Sequence, residues 1–526
     1  MREKITRRRF LSAVGAGATY LALTNAVGCD PNERIPQAKT PKEGPVPTPP
    51  APKVSPLPNA SPKEGVWAFR SRPDLSPPTI KVSTQAHDTA FGYIFVAPYG
   101  IGTSGQRGPM IVDNSGRPVW FRPVFQGVGT ASNFKVQRYK GEPVLTWWEG
   151  IGVQRYGQGE YVILDSSYRE IKRVRAGNGY KGDHHEFLIT AQDTALITIY
   201  NPVRWDLSAL GGPRDGLILD GIAQEVDIDT GEVLFEWHSL EHVGLDEIHL
   251  QPADFQPADF RWPYDYFHIN YIDVDHDGNL LVSGHKTFTI YKIDRKSGEV
   301  IWRLGGKKSD FEMGPGTRTR YQHDARRQPD GTLTIFDNGG RHKDEMSYGL
   351  VLELDMKEMS ATLVRRYAHP DGRLAAIMGN MQLLPTGNVF IGWGGYPGFS
   401  EFSRDGRLLF DARFHPGHVS YRAFRFPWNG RPSEDPVVVA EPGPAQEEVT
   451  LYASWNGSTE VASWEVLTGA RPGQLEPLGA VPRNGFETAI KVHTAESYFG
   501  VQAKDSSGRV LGVSRATRSI SVRPQR

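Results

Sequence analysis

Histidines recur at corresponding points of this chain, in segments that could support chemistry. Three segments carry them: Asp-His-His-Glu at residues 183–186, Phe-His-Ile-Asn at 267–270 and Tyr-Gln-His-Asp at 321–324. Three imidazoles from separate segments could bind zinc or copper. Alternatively, one imidazole could act as a nucleophile while the others hold an anion, because neutral imidazole is nucleophilic near neutral pH.

A repeated β unit must position these segments. From about residue 92, short apolar strands alternate with Asp/Gly turns, as in YKIDRKSGEVIW at Tyr291–Trp302. Such turns between alternating runs are typical of β-hairpins. A four-strand repeat every 40–60 residues, roughly, predicts an all-β, six-bladed β-propeller. We expect blades to begin near residues 92, 131, 185, 268, 323 and 379, with the innermost strand first, so that the histidines face a central channel.

The chain divides into four predicted regions. Residues 1–28 are interpreted as a twin-arginine and lipoprotein signal peptide, and residues 29–62 as a Pro-rich linker. Residues 63–432 are predicted to form the β-propeller domain. Residues 433–526 are predicted to form a small immunoglobulin- or fibronectin-like β-sandwich. A single large β-sandwich in place of the propeller is the alternative.

The N-terminus predicts where the protein resides. Thr6–Leu11 reads TRRRFL, and the small residues AVG precede Cys29, as in a lipobox. We therefore expect Tat export to the periplasm or cell surface, with a lipid on Cys29 holding the protein on a membrane. An ordinary cleaved signal with an incidental cysteine is the alternative.

Cysteine usage and charge limit what the protein can do. Cys29 is the only cysteine, so the mature body has no disulfide and no cysteine ligand or nucleophile. Lys and Arg number 60, equal to the 60 Asp and Glu, and the body has no basic run. This balance argues against a nucleic-acid partner. The sequence leaves homo-oligomerisation open.

The motifs between residues 265 and 340 together resemble one family. They are HxN at 268–270, DVDxDGNxLxS at 273–283, YKIDRKSGEVIWRLGGK at 291–307, QHDAR at 322–326 and DGTLTIFDNG at 330–339. This pattern resembles the bacterial arylsulfotransferases, with similarity over roughly residues 90 to 430. The resemblance implies a six-bladed propeller that moves a sulfuryl group from a phenolic sulfate ester to an acceptor phenol. It implies no PAPS, no other cofactor and no metal.

The resemblance also implies roles for individual residues. His323 of QHDAR matches the nucleophile that becomes a sulfohistidine. His268 and Asn270 match residues that hold the sulfuryl oxygens, and His185 matches a further active-site histidine. Arg326 of the same QHDAR motif is expected to bind substrate. In-line attack with donors aimed at the sulfuryl oxygens in a dry pocket is what such a transfer needs.

The chain departs from the family pattern on the strand after HxN. The family has an Arg there, often within SxRH, where this chain reads VSGHKT at residues 282–287. His285 replaces that Arg and Lys286 lies beside it, so a bidentate guanidinium is lost. A protonated His285 or an inward-turned Lys286 would have to supply the positive charge, and both are expected to bind substrate.

Two other functions stay open at this point. A non-catalytic propeller of the envelope could bind a small aromatic or anionic ligand or a protein partner, and it would need no cation at positions 285–286. A metal-dependent hydrolase of sulfate esters would contain stoichiometric metal.

Overall fold

The computed structural model describes residues 53–58, 61–100, 104–124, 129–153, 156–249, 261–340 and 345–519. The predicted signal peptide and Cys29 lie outside these residues, so export and lipidation stay predictions. Strands dominate the described chain, and its helices are α1 (Ser239–His242) and the 3₁₀ turns Ser208–Leu210 and Leu245–Glu247. None of these described helices has the length and apolarity needed to cross a bilayer. The predicted all-β class is confirmed.

The strands follow one another in short hairpins. The first thirteen are β1 (Val54–Pro56), β2 (Ile80–Thr84), β3 (Tyr93–Val96), β4 (Met110–Val112), β5 (Pro118–Phe121), β6 (Gly129–Tyr139), β7 (Glu142–Val153), β8 (Tyr156–Leu164), β9 (Glu170–Val174), β10 (Phe187–Ile189), β11 (Thr194–Trp205), β12 (Gly216–Asp227) and β13 (Val233–His238). The next fourteen are β14 (Ile269–Val274), β15 (Leu280–Gly284), β16 (Thr289–Ile293), β17 (Val300–Gly305), β18 (Glu312–Met313), β19 (His323–Arg327), β20 (Leu333–Asp337), β21 (Tyr348–Asp355), β22 (Ser360–Tyr367), β23 (Asn380–Leu383), β24 (Val389–Gly392), β25 (Gly398–Phe402), β26 (Leu408–Phe414) and β27 (Ala423–Phe426). The last eight are β28 (Val437–Pro442), β29 (Glu448–Ser454), β30 (Ser463–Arg471), β31 (Gln474–Pro482), β32 (Glu487–His493), β33 (Tyr498–Lys504), β34 (Val510–Val513) and β35 (Thr517–Arg518).

Six sheets form the larger part of the fold, and their strand pairs are antiparallel except for β18 with β22. Their strand orders are β27-β3-β4-β5, β6-β7-β8-β9, β10-β11-β12-β13, β14-β15-β16-β17, β18-β22-β21-β20-β19 and β2-β26-β25-β24-β23. Each sheet contacts the next, and β27 contacts both β23 and β6, so the contacts run in a ring. Four of the sheets have four strands and two have five, and their number and order agree with the repeat that the sequence predicted. Because each hairpin meets its neighbour locally, strand alternation alone largely determines this order.

The first sheet differs from the sequence prediction. We expected the blade near residue 92 to begin with its innermost strand, but β3 is the second strand of its sheet. The innermost is β27 from the other end of the ring, with Ala423 paired to Val96 and Phe426 to Tyr93. Pairing β3 with β27, which come from the two ends of the ring of sheets, removes exposed edges. No local pattern in the sequence reveals such a distant partner.

The C-terminal sheets pack face to face. Their orders are β1-β32-β29-β28 and β31-β30-β33-β34, with β35 paired to β33, and Leu451, Trp464 and Ile490 lie in their common core. β1 comes from the predicted linker 29–62, and its Val54 pairs with Val492. Residues 54–56 are therefore part of this sandwich and not of a solvated tether. A three-residue strand within a Pro-rich segment is too short to show a period of two in the sequence.

Buried tryptophans fasten neighbouring sheets together. Trp237 on β13 is 1% exposed, and its Nε1 donates to the carbonyl oxygen of Gly298 at 3.1 Å. Its ring centre lies 5.4 Å from that of His242 and 5.7 Å from that of Phe267. Gly298 and Phe267 belong to the following sheet and to the segment that leads into it, so Trp237 packs between two neighbouring sheets.

Replacing Trp237 tests this packing. We expect Trp237→Ala to lower the free energy of unfolding by about 3–5 kcal/mol, because it leaves a cavity and an unpaired carbonyl. Trp262, which is 63% exposed, is the matched control, and Trp262→Ala should change that free energy by no more than about 0.5 kcal/mol. Denaturant titration measures both. Equal effects of the two variants would contradict the packing role.

Candidate active site

Four histidines and a tyrosine meet at the starts of the inner strands. The ring centres of His185 and His268 lie 4.9 Å apart, those of His268 and His285 4.8 Å, and those of His285 and His323 5.1 Å. Tyr421 faces them, 5.5 Å from His185 and 6.2 Å from His323. These five residues are called the histidine cluster below. The structure thus brings together the three histidines predicted to be catalytic and His285, which was predicted to bind substrate.

Irregular backbone aims these side chains inward. The register shifts between Ile269 and Tyr271 on β14, and between His323 and Arg326 on β19. His268 has a φ of 55°, in the left-handed region. Such conformations cost about 1–3 kcal/mol outside glycine and concentrate at functional sites. Bulges at sheet ends re-aim side chains, which explains how separate inner strands present imidazoles to one point.

Hydrogen bonds fix which nitrogen of His323 carries the proton. Its Nδ1 lies 2.7 Å from Asn338 Oδ1 and 3.1 Å from the carbonyl oxygen of Tyr321. Asn338 Nδ2 donates to the carbonyl oxygens of Ala375 and Met378, each at 2.7 Å, so its Oδ1 must be the atom that faces His323. Both neighbours of Nδ1 are acceptors, so Nδ1 carries the hydrogen. Nε2 of His323 is left with a lone pair.

The other two predicted histidines have carboxylate partners instead. His185 Nδ1 bonds to Asp183 Oδ1, and His268 Nδ1 lies 2.5 Å from Asp265 Oδ2. A carboxylate stabilises a protonated imidazole, whereas an amide oxygen does so far less. The cluster therefore combines two Asp–His pairs, suited to proton transfer, with one Asn–His pair at His323.

Burial keeps most of the cluster uncharged. It lowers the pKa of His185 to about 3, and this effect outweighs the opposing charge of Asp183. Burial also holds the pKa values of His285 and His323 well below their usual range. The direction for His285 opposes the expectation that its protonated ring replaces the family arginine. Lys286 remains as the adjacent cation, with its Nζ 6.0 Å from the ring centre of Tyr321.

A layer of buried charged side chains lies next to the histidine cluster, further along the inner strands. Glu186 accepts from Lys135 Nζ and from Arg422 Nη1, each at 2.6 Å, and none of these side chains is more than 5% exposed. Arg422 Nη2 also donates to the carbonyl oxygen of Asn270 at 3.3 Å. Removing one partner of such a buried pair typically costs about 3–5 kcal/mol, so this layer holds the inner strands in place.

Two predicted substrate-binding residues lie in or beyond this layer. Asn270 Nδ2 donates to the carbonyl oxygen of Gln322 at 2.8 Å, which ties β14 to the strand that carries His323. Arg326 Nε donates to Asp324 Oδ1 at 2.9 Å, and its guanidinium lies 5.1 Å from the ring centre of Tyr271. The structure does not bring Arg326 to the histidine cluster.

Several site residues escaped the sequence reasoning. Tyr421 and Arg422 precede β27, the strand that closes the ring, and the repeat count had no inner strand there. Their signal was the alternation of YRAFRF at residues 421–426, read as the end of a repeat rather than a beginning. Asn338 lies within the DGTLTIFDNG motif and Asp265 lies just before the HxN motif, but residue type and spacing alone do not show that their side chains bond to a histidine nitrogen.

An aromatic cavity of about 580 Å³ lies next to the cluster. Tyr321, Phe288, His249 and Arg318 contribute to its wall. Tyr321 lies 5.0 Å from His285 and 4.6 Å from Phe288, centre to centre, so it separates the cavity from the cluster. Aromatic walls with a cationic rim suit an aromatic anion.

A metal has one candidate position. In the described ranges, Asp183, His184 and His185 are the only group whose ligand atoms lie within 4.8 Å of one another. Asp183 already pairs with both rings, 3.3 Å from His184 Nδ1 and bonded to His185 Nδ1. His268, His285 and His323 form no such group. The donor set thus favours hydrogen-bonded pairs over a histidine-ligated metal.

The uncharged histidines predict acid sensitivity. Unfolded histidines, with a pKa of about 6.5, bind protons that buried His185, His285 and His323 do not, so the free energy of unfolding falls as pH decreases from about 6.5 to 5, by up to about 1.4 kcal/mol per pH unit for each group. We expect His285→Gln to remove about a third of that slope. Denaturant unfolding at several pH values in this window measures it.

Exposed His276 provides the control for that slope. His276→Gln should leave the pH dependence as in the wild type. An unchanged slope in His285→Gln would show that His285 is not buried in its neutral form.

One comparison with known proteins identifies a family. The model of the family described as Arylsulfotransferase (ASST) matches residues 135–415, which include His185, His268, His285 and His323. A comparison with curated proteins finds no match.

The chain is also similar to some solved structures. A Bacteroides caccae protein of unknown function is 14% identical (64% of this chain, 100% of that chain, TM-score 0.38). A streptogramin B lyase is 10% identical (63% and 87%, TM-score 0.34), and the Staphylococcus aureus virginiamycin B lyase is 10% identical (63% and 88%, TM-score 0.31). These similarities are too low to carry an argument. The family match covers more than half of the chain, and this chain therefore belongs to the arylsulfotransferase (ASST) family.

Proposed function

We propose that this protein transfers the sulfuryl group of an aryl sulfate ester to an acceptor phenol through a covalent intermediate on His323, without PAPS. One observation carries the proposal. His323 is buried among three other histidines with its Nδ1 hydrogen bonded to an amide oxygen, which leaves the Nε2 lone pair as a nucleophile.

The first step forms a bond from His323 Nε2 to sulfur and breaks the bond from sulfur to the phenolic oxygen. The imidazole then carries a positive charge beside the sulfonate group. Asn338 cannot take the Nδ1 proton, so the adduct stays an imidazolium, which is a good leaving group. In the second step the acceptor phenol oxygen attacks sulfur, the nitrogen–sulfur bond breaks, and neutral His323 returns.

Proton transfer falls to the Asp–His pairs. His268, held by Asp265, gives a proton to the departing phenolate and takes one from the incoming phenol. Its ring lies between those of His185 and His285, so it borders the same space as His323. General acid–base help of this kind typically contributes about 10²–10⁴-fold in rate.

A cation, a histidine and the aromatic cavity bind the substrate. Since burial keeps His285 neutral, Lys286 supplies the positive charge for the sulfuryl oxygens and His285 offers a hydrogen-bonding ring nitrogen. The aromatic cavity beyond Tyr321 takes the aryl body. Its volume of about 580 Å³ exceeds the needs of one ring, which suits substrates with larger aromatic groups.

A transfer assay on His323→Ala tests the proposal. The wild type should release nitrophenol from p-nitrophenyl sulfate at a rate that rises with added phenol. His323→Ala should lose at least about 10³-fold in kcat/KM, because no other group can carry the sulfuryl adduct. His184→Ala is the matched control, because His184 has no ring contact with His323, and it should stay within about tenfold of the wild type.

Two outcomes would oppose the proposal. Release that does not depend on phenol would point to a sulfatase. Equal loss in His184→Ala and His323→Ala, with both proteins folded, would remove the special role of His323.

The Lys286 assignment has its own test. Lys286→Met should lower kcat/KM for p-nitrophenyl sulfate by about 10²–10³-fold, while Lys286→Arg keeps most of the activity, because charge next to the sulfuryl oxygens stabilises the transition state. Steady-state kinetics of the two variants measures the difference. Wild-type activity in Lys286→Met would contradict this role and leave Arg422 as the nearest remaining cation.

A further inference from the structure

A second cavity lies at the ends of the inner strands, opposite the histidine cluster. It measures about 330 Å³, and its wall includes residues of β6, β10, β19, β23 and β27. Arg326 and Gln328 line it, three and five residues beyond His323 along the chain. This wall therefore lies further along the inner strands than the histidines.

Two cations reach this cavity with donors to spare. Lys135 lines it, and Glu186 is the partner that the described residues give its ammonium, which has three hydrogens to donate. Arg326 also lines it, with its side chain 23% exposed; Nε and Nη2 both face Asp324 Oδ1, so among the described residues Nη1 is the nitrogen without a hydrogen-bond partner. Unfilled cationic donors at a cavity wall are what an anionic ligand would use.

The rest of the wall combines polar residues, which are Gln137, Arg138, Thr190, Gln328 and Gln382, with an apolar part. Val136, Leu188, Ile189, Leu383, Phe424 and Phe426 line the cavity beside the cations. A pocket that combines apolar and aromatic walls with a charged end fixes the orientation of an amphipathic ligand. A volume of about 330 Å³ accommodates a single aromatic ring with a small substituent.

We propose that this cavity is a second ligand site, which binds a small organic anion with an aromatic or other apolar body. The anion accepts hydrogen bonds from Lys135 and Arg326, and the apolar body packs on Phe424 and Phe426. The site is separate from the histidine cluster and does not depend on the proposed transferase activity.

Calorimetric titration of the full chain with benzoate tests the site. Wild type and His323→Ala should each bind benzoate in this cavity. Any benzoate bound in the aromatic cavity beside Tyr321 should stay bound in Arg326→Gln, which distinguishes the two sites. Arg326→Gln should bind about tenfold more weakly, because it removes a charge-assisted hydrogen bond. Benzamide, a neutral ligand of nearly the same shape, should show no saturable binding.

A second variant keeps the test valid if Arg326→Gln does not fold. Ala191 lines the cavity and is exposed, so Ala191→Trp fills the space without changing a buried charge. It should also weaken benzoate binding by about tenfold or more. Absence of saturable binding in the wild type, or binding that Ala191→Trp leaves unchanged, would overturn the proposal.

Discussion

The hydrogen bond between His323 and Asn338 is the interaction on which the proposed chemistry depends. It places the hydrogen on Nδ1 and the lone pair on Nε2. Burial holds the pKa of His323 well below its usual range, which keeps the ring neutral. Asn338 is itself held by the carbonyl oxygens of Ala375 and Met378, in the segment that leads into the last sheet. The imidazole of His323 is thus oriented by two neighbouring sheets. Its orientation depends on how the six sheets are assembled.

The assembly of the six sheets also explains the position of the buried charged side chains. Arg422 reaches the channel only because β27 crosses from the end of the ring to pair with β3. There it donates to Glu186, which also accepts from Lys135. Charged side chains at three inner strands thus pair with one another away from water. Such pairs are costly to desolvate, and each partner is needed to offset the cost of burying the others. The charged layer therefore links closure of the fold to the position of the histidines.

Much of this organisation could be predicted from the sequence, and the rest has physical reasons for escaping it. Hairpin turns and strand alternation indicate the six sheets, and equivalent repeat positions indicate His185, His268 and His323. The pairing of β27 with β3 could not be predicted, because two strands so far apart in the sequence leave no local pattern. The bulge between His323 and Arg326 shifts the register of β19. Arg326 lies beyond this bulge, where it pairs with Asp324, and the spacing of the motif alone does not show this.

The most direct test of the account is to trap the intermediate. The wild-type protein would be mixed with p-nitrophenyl sulfate in the absence of phenol, quenched at neutral to alkaline pH, digested and analysed by mass spectrometry. The account predicts one added sulfonate group on His323, which disappears when phenol is added before the quench. A sulfonate on another residue, or one nitrophenol released per protein with no adduct on His323, would contradict it.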